Sequence, residues 1–215
     1  MFLRDIGKRI LTYFWLKSFG ATVGISGFFV IYFYLMNHPV FPVRVMPILG
    51  IDLWLPILSW TTWVYFSLWF YILIPLCFMR TIQCMVQFTT GAFILSLFGF
   101  LSYFLFPTAI VGWDYDWSLY PSLAFLKEAD AAGNACPSLH VAFSVFAALW
   151  LSKVLSALQS HSFWNIVNFL WCAMIVVSTM TTKQHVLIDV LCGIPLGAGV
   201  YLANRRLFRR VELTI

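Results

Sequence analysis

Residues 137–158 read PSLHVAFSVFAALWLSKVLSAL. A short polar entry opens onto a run at 141–158 whose single charge is Lys153. A run of this length is close to the roughly 20 residues that an α-helix needs to cross a bilayer. Lys153 falls near its end, where a long aliphatic stem can carry the ammonium to the headgroups. The same pattern recurs near residues 19–36, 60–79, 86–106, 163–180 and 186–202. Composition agrees with it. The chain is 62% hydrophobic and only 10% charged, against about 25% charged in soluble domains. These runs predict an all-α polytopic membrane protein with six transmembrane helices.

The flanks complete the plan. Residues 1–18 predict an amphipathic interfacial helix, with Leu3, Ile6, Ile10 and Phe14 at helical spacing and Arg4, Lys8, Arg9 and Lys17 elsewhere. Residues 19–204 form the six-helix membrane domain, and 205–215 a basic tail with Arg205, Arg206, Arg209 and Arg210. The loop at 37–56 is rich in proline, which argues against a continuous helix there. The longest polar region, 107–139, holds Asp114, Asp116, Lys127, Glu128 and Asp130, with Trp113, Trp117 and Tyr120 as interfacial anchors. There is no internal repeat. No cleavable leader is expected, because the first apolar run is long and lacks a small-residue cleavage site.

Six crossings put both termini on one side. With the termini in the cytoplasm, the inner side holds ten Lys and Arg residues and the outer side three, Arg44, Lys127 and Lys183. That bias follows the positive-inside rule. The net charge of +5 sits mostly at the termini rather than on one face, so nucleic acid is not an expected partner. The five cysteines, Cys77, Cys84, Cys136, Cys172 and Cys192, form no C-x-x-C pair. They read as small buried hydrophobes, not as a disulfide or zinc framework.

In this arrangement the polar entries to the fourth and sixth runs both lie outside. His140 stands at one and His185 at the other, 45 residues apart, about two crossings and two short turns. The two segments can therefore meet. Asp189 follows His185 by four residues, one helical turn deeper on the same face. An intramembrane carboxylate needs a partner. Asp189 can hold the Nδ1 proton of His185 and leave Nε2 free to attack. The plainer reading is a His–Asp pair that ties helices together.

Pro137 and Ser138 suit a helix start, whose free N–H groups favour anions, with His140 beside them as a proton donor. An ordinary capped helix would look alike. Ser178, Thr179 and Lys183 could bind phosphate oxygens near His185, or form a polar turn with a solvated lysine. His38 and His161 have no carboxylate at helical spacing and read as interfacial.

These residues resemble the type 2 phosphatidic acid phosphatase superfamily of membrane lipid phosphatases and phosphotransferases. Its signatures are K-x6-RP, PSGH and SR-x5-H-x3-D. The second is matched by Pro137-Ser138-Leu139-His140, with leucine in place of glycine. The third is matched by Ser178-Thr179, His185 and Asp189 at intact spacing, with threonine in place of arginine. The first has no counterpart; the Pro107-Thr108 region lies where it would fall but carries no cation.

The resemblance implies that His185 attacks phosphorus and becomes a phosphohistidine, oriented by Asp189. His140 protonates the leaving oxygen and then activates water or an alcohol. Ser138 and Ser178 hold phosphate oxygens, with Lys183 and Lys127 as substitutes for the missing cations. No metal and no other cofactor is implied.

The departures also look similar to the inositol phosphorylceramide and sphingomyelin synthase branches, which move a phospho-headgroup between lipids. The resemblance implies, as the expected function, hydrolysis of a lipid phosphate ester through a phosphohistidine. Transfer to a lipid alcohol such as ceramide or diacylglycerol is the second reading, and a non-catalytic lipid transporter of the same fold the third. The expected partners are a membrane lipid substrate and the bilayer, with the site on the outer side of a bacterial inner membrane.

Overall fold

The structure is a computed structural model and describes residues 2–129 and 133–208. Arg209, Arg210 and Asp130 lie outside the described residues. The chain begins with helix α1 (Phe2–Leu11) and the long helix α2 (Phe14–Asn37). Strand β1 (Arg44–Val45) and the short helix α3 (Gly50–Trp54) follow. Helices α4 (Thr61–Phe66), α5 (Leu68–Tyr71) and α6 (Leu73–Phe78) run end to end, then comes α7 (Ile82–Leu105). Strand β2 (Thr108–Ala109) and helix α8 (Pro121–Ala129) precede the last three long helices, α9 (Leu139–Ala157), α10 (Ser162–Thr181) and α11 (Leu187–Leu207).

Among the described residues, six helical stretches are long and apolar enough to cross a membrane, with α4 to α6 counting as one. The chain is an all-α polytopic membrane protein. The first span begins at Phe14, five residues before the expected 19, because Lys17 is helical and buried. Its ammonium donates to the carbonyls of Arg9 (2.8 Å) and Cys77 (2.9 Å). Helix α1 is correspondingly shorter than the residues 1–18 expected for an N-terminal helix, and the left-handed backbone at Tyr13 (φ 55°) separates it from α2. The last span runs to Leu207, so Arg205 and Arg206 belong to a helix rather than to a tail. The second span is segmented for two local reasons. Ser67 turns its hydroxyl onto the Val64 carbonyl (2.6 Å), a back-bond that bends helices. Pro75 lacks the N–H that would otherwise reach Tyr71.

Helix α9 is the hub. About two thirds of its apolar window (67%) is buried inside the protein, against 6% for α2. Its neighbours approach closely because they present glycine. A Cβ on Gly193 of α11 would lie 2.6 Å from the Ser138 carbonyl oxygen, and one on Gly197 would overlap the Ala142 carbonyl. On α7, Gly91 receives the Phe146 ring and Gly99 the Leu139 side chain. Small residues at four-residue spacing let membrane helices pack backbone to backbone.

The connections divide between the two ends of the bundle. At one end Arg9 reaches the Phe78 carbonyl (3.2 Å), and Asp5 bonds both Arg9 (2.9 Å) and Arg80 (2.6 Å). At the other end β1 and β2 pair in parallel, Arg44 opposite Thr108 and Val45 opposite Ala109. The Thr108 hydroxyl accepts from Cys136 N–H (2.8 Å), so this small sheet steers the chain into Pro137.

Gly197→Ala is expected to destabilise the protein by about 1–3 kcal/mol, since overpacking against a fixed backbone forces the helices apart. Gly24→Ala on α2, where an added Cβ meets nothing within 4 Å, is expected to leave stability unchanged or slightly raised. Thermal unfolding in detergent compares the two.

Candidate active site

The site is assembled by two helix starts and one helix end. Helix α10 finishes in a Schellman turn: Lys183 N–H donates to the Met180 carbonyl (3.1 Å) and Gln184 N–H to that of Thr179 (3.1 Å). The left-handed position of this motif, usually glycine, is occupied by Lys183 (φ 58°). The strain has a structural offset. The Lys183 ammonium donates to the carbonyls of Asp52 and Leu55, both at 2.8 Å, and lies over the Trp113 ring at 4.5 Å. Burial pushes this ammonium below its ordinary range, while the Asp52 carboxylate pulls the other way.

His185 follows directly, its N–H held by the Thr179 carbonyl (3.0 Å). It precedes the first residue of α11, so His185 and Asp189 do not share a helix face as the spacing predicted. They meet because Asp189 sits in the first turn and folds back. Its Oδ2 accepts from the Val186 N–H (3.1 Å), half of a capping box. The same oxygen lies 3.4 Å from Nδ1 of His185. That contact lacks hydrogen-bond geometry, and Nδ1 and the other carboxylate oxygen, Oδ1, have no partner.

Ser138 caps α9, its Oγ accepting from Val141 N–H (3.3 Å). Its own N–H donates to the Asp189 carbonyl (3.1 Å), which joins the two motifs through the backbone. His140 then stands in the first turn of α9. Its ring stacks on Tyr65 (centroids 4.0 Å, planes 22° apart) and meets the edge of Trp69 (5.7 Å). The Tyr65 hydroxyl is 3.2 Å from Nδ1 of His140, while Nε2 is buried and without a partner. The His140 and His185 rings face each other at 6.1 Å between centroids. Both line one cavity of about 90 Å³, walled by aromatic side chains that include Phe28, Tyr32, Tyr65 and Trp69.

The structure thus brings His140, His185 and Asp189 together. The four expected phosphate binders fare differently. Lys183 is no solvated cation: it is 1% exposed and committed to Asp52 and Leu55. Lys127 donates to the Lys183 carbonyl (3.2 Å) and lies over the Trp117 ring at 4.9 Å. Ser178 is buried, its hydroxyl turned onto the Ile175 carbonyl of its own helix (2.6 Å). Ser138 lies at the right helix start, but its oxygen is engaged in the cap. Thr179 is fully buried, and its hydroxyl donates to the Val176 carbonyl (2.8 Å). Its carbonyl anchors the turn that carries His185. His38 and His161 stand at helix ends, with Nδ1 of His38 3.0 Å from the Tyr34 carbonyl and Nδ1 of His161 accepting from the Phe163 N–H (3.2 Å).

Two residues of the site were not singled out from sequence. Asp52 is 3% exposed in the proline-rich loop. It accepts from Leu187 N–H at 2.8 Å through one oxygen and from Leu49 N–H at 2.8 Å through the other. Its carbonyl also receives Lys183. Its one signal in the sequence is that it is the single acid of the proline-rich loop at 37–56. Tyr65 carried no signal, since one tyrosine in an aromatic span resembles the rest.

Cys136 borders the motif, and burial pushes its thiol up to about 12, with Cys192 as a neighbour, so it is a poor thiolate nucleophile. Among the described residues, no three His, Cys, Asp or Glu side chains cluster so as to hold a metal ion. Comparison with protein-family models, curated proteins and solved structures finds no match to this chain.

Asp52→Ala is expected to leave the Leu187 and Leu49 N–H groups unsatisfied, at about 1–3 kcal/mol for each that stays buried. Amide exchange at residues 183–187 should accelerate well beyond that of the middle of α9. Unchanged protection at those amides would show that Asp52 does not hold the turn.

Proposed function

We propose that this chain is an integral membrane enzyme that hydrolyses a lipid phosphate ester through a phosphohistidine. In this reading Nε2 of His185 attacks phosphorus and the bond to the leaving oxygen breaks. That oxygen takes a proton from Nε2 of His140. Water then gives its proton to His140 as its oxygen attacks phosphorus. The P–N bond breaks, and its electron pair returns to His185. Asp189 holds the Nδ1 proton of His185 and balances the positive ring.

One observation carries the reading. Two histidines from separate polar entries line a single cavity at 6.1 Å, and a carboxylate stands 3.4 Å from one of them and not from the other. The resemblance of the two motifs supports it. The charge bias supports cytoplasmic termini and a site on the outer side, and a bacterial inner membrane is the proposed location.

A second reading, transfer of a phospho-headgroup to a lipid alcohol, is favoured by a specific feature. Lys183 and Lys127 both direct their ammonium groups at backbone carbonyls. A site with so few available cations suits a phosphodiester, which carries less charge than a phosphomonoester. The chemistry is the same, with the acceptor hydroxyl replacing water at His140.

Purified protein supplied with lipid phosphomonoesters and phosphodiesters, in chelator, with and without diacylglycerol or ceramide, separates these readings. Released phosphate indicates hydrolysis, and a new phospholipid indicates transfer. His185→Ala is expected to lower either by about a thousandfold or more, and His140→Ala by about a hundred- to ten-thousandfold. An acid-labile phosphoryl-protein should form in wild type and be absent from His185→Ala. Full function in His185→Ala would leave the non-catalytic transporter as the surviving account.

A further inference from the structure

His140 and His185 are chemically alike, yet their Nδ1 atoms face different partners. His185 has the Asp189 carboxylate at 3.4 Å. His140 has a phenol, the Tyr65 hydroxyl, at 3.2 Å. Tyr65 is 1% exposed and comes from the second span, 75 residues before His140. Its ring also stacks flat on the imidazole, while Trp69 closes a second side. The His140 ring is therefore fixed in position and rotation, with Nε2 as its one unpartnered nitrogen.

We infer that Tyr65 is the positioning residue that makes His140 the proton shuttle; the inference rests on the phosphohistidine reading above. The phenol oxygen accepts from Nδ1–H of His140 in both of its protonation states. Proton exchange is thereby confined to Nε2. In the first step the imidazolium releases its Nε2 proton to the leaving oxygen, keeps Nδ1–H on Tyr65, and becomes a neutral base. In the second step the Nε2 lone pair takes a proton from water or from the acceptor alcohol.

The difference between phenol and carboxylate sorts the roles. A carboxylate stabilises a cationic ring, which suits a nucleophile that becomes positively charged on phosphorylation. It would also hold a shuttled proton back. A neutral phenol orients the ring with no such penalty, which suits a group that must give its proton up and recover it. The aromatic stack adds alignment without charge.

The test uses leaving-group dependence in the full-length protein. An alkyl phosphate ester needs a proton on its leaving oxygen, whereas a 4-nitrophenyl ester departs as a stable anion without one. Tyr65→Phe keeps the stacked ring and removes the hydroxyl. The expected result is a 10- to 100-fold loss of kcat on the alkyl ester, the range of a lost orienting partner, with KM little changed. On the 4-nitrophenyl ester the loss should be about twofold or less, because that route asks little of the acid. The ratio of the two rates is read within one preparation, so a reduced folded fraction cancels. In a His140→Ala background, Tyr65→Phe should add no further loss on either ester.

Equal losses on the two esters, an unchanged alkyl-ester rate, or an additive loss in the double variant would each overturn the inference alone. A wild-type protein that turns over neither ester and transfers no headgroup would overturn the enzyme reading, and this inference with it.

Discussion

The backbone contact between α9 and α11 is the constraint on which the site depends. The Ser138 N–H donates to the Asp189 carbonyl at 3.1 Å, so the first turns of two separate spans share a hydrogen bond. That distance leaves no room for a side chain. Gly193 faces the Ser138 carbonyl and Gly197 faces that of Ala142. In a bilayer the lipid is as apolar as the helix surface, so association relies on close packing and hydrogen bonding more than on hydrophobic exclusion. Two glycines one turn apart provide that packing, and the shared bond sets the relative height of the helices. The separation of His140 from His185 follows from both.

A second requirement falls on the loops. Backbone polar groups at membrane depth must be satisfied within the protein, and each helix start leaves N–H groups without intrahelical acceptors. Helix α11 solves this with two carboxylates. Asp189 takes the Val186 N–H, and Asp52 takes that of Leu187. Lys183 closes the arrangement by binding the carbonyls of Asp52 and Leu55. One polar cluster thus caps a helix, ends another and anchors the proline-rich loop. It also explains why an unfavourable left-handed backbone persists at Lys183: the position that strains the chain is the one from which the ammonium reaches those carbonyls.

The spans were legible in the sequence because crossing a bilayer is a local demand on length and polarity. Their ends were less legible, since a lysine such as Lys17 reads as aqueous until the Arg9 and Cys77 carbonyls are known to receive it. The pairing of His185 with Asp189 was visible as spacing, although its geometry comes from a capping turn and not from a helix face. The placement of Lys183 is not legible in the sequence, for a physical reason. Its partners lie 131 and 128 residues away, and nothing local distinguishes an ammonium held by carbonyls from one in water. Tyr65 was invisible on the same ground. Periodicity reports which face of an element is apolar, not which distant ring will stack on it.

The chemistry available to the site follows from which groups are already spent. Ser178 and Thr179 donate to carbonyls of their own helix, and the nearby ammonium groups hold loops. The cavity wall is largely aromatic, and among the described residues the unpartnered buried side-chain atoms at and beside it include nitrogens of His140 and His185 and an oxygen of Asp189. A densely charged phosphate would lose much of its hydration in such a place and regain few cationic contacts. Under the proposed function a diester would lose less, and the aromatic walls would face the apolar parts of the lipid. Thr179 and the inward turn of Lys183 act together: the Thr179 carbonyl and the Lys183 ammonium build the turn before α11 from carbonyl contacts.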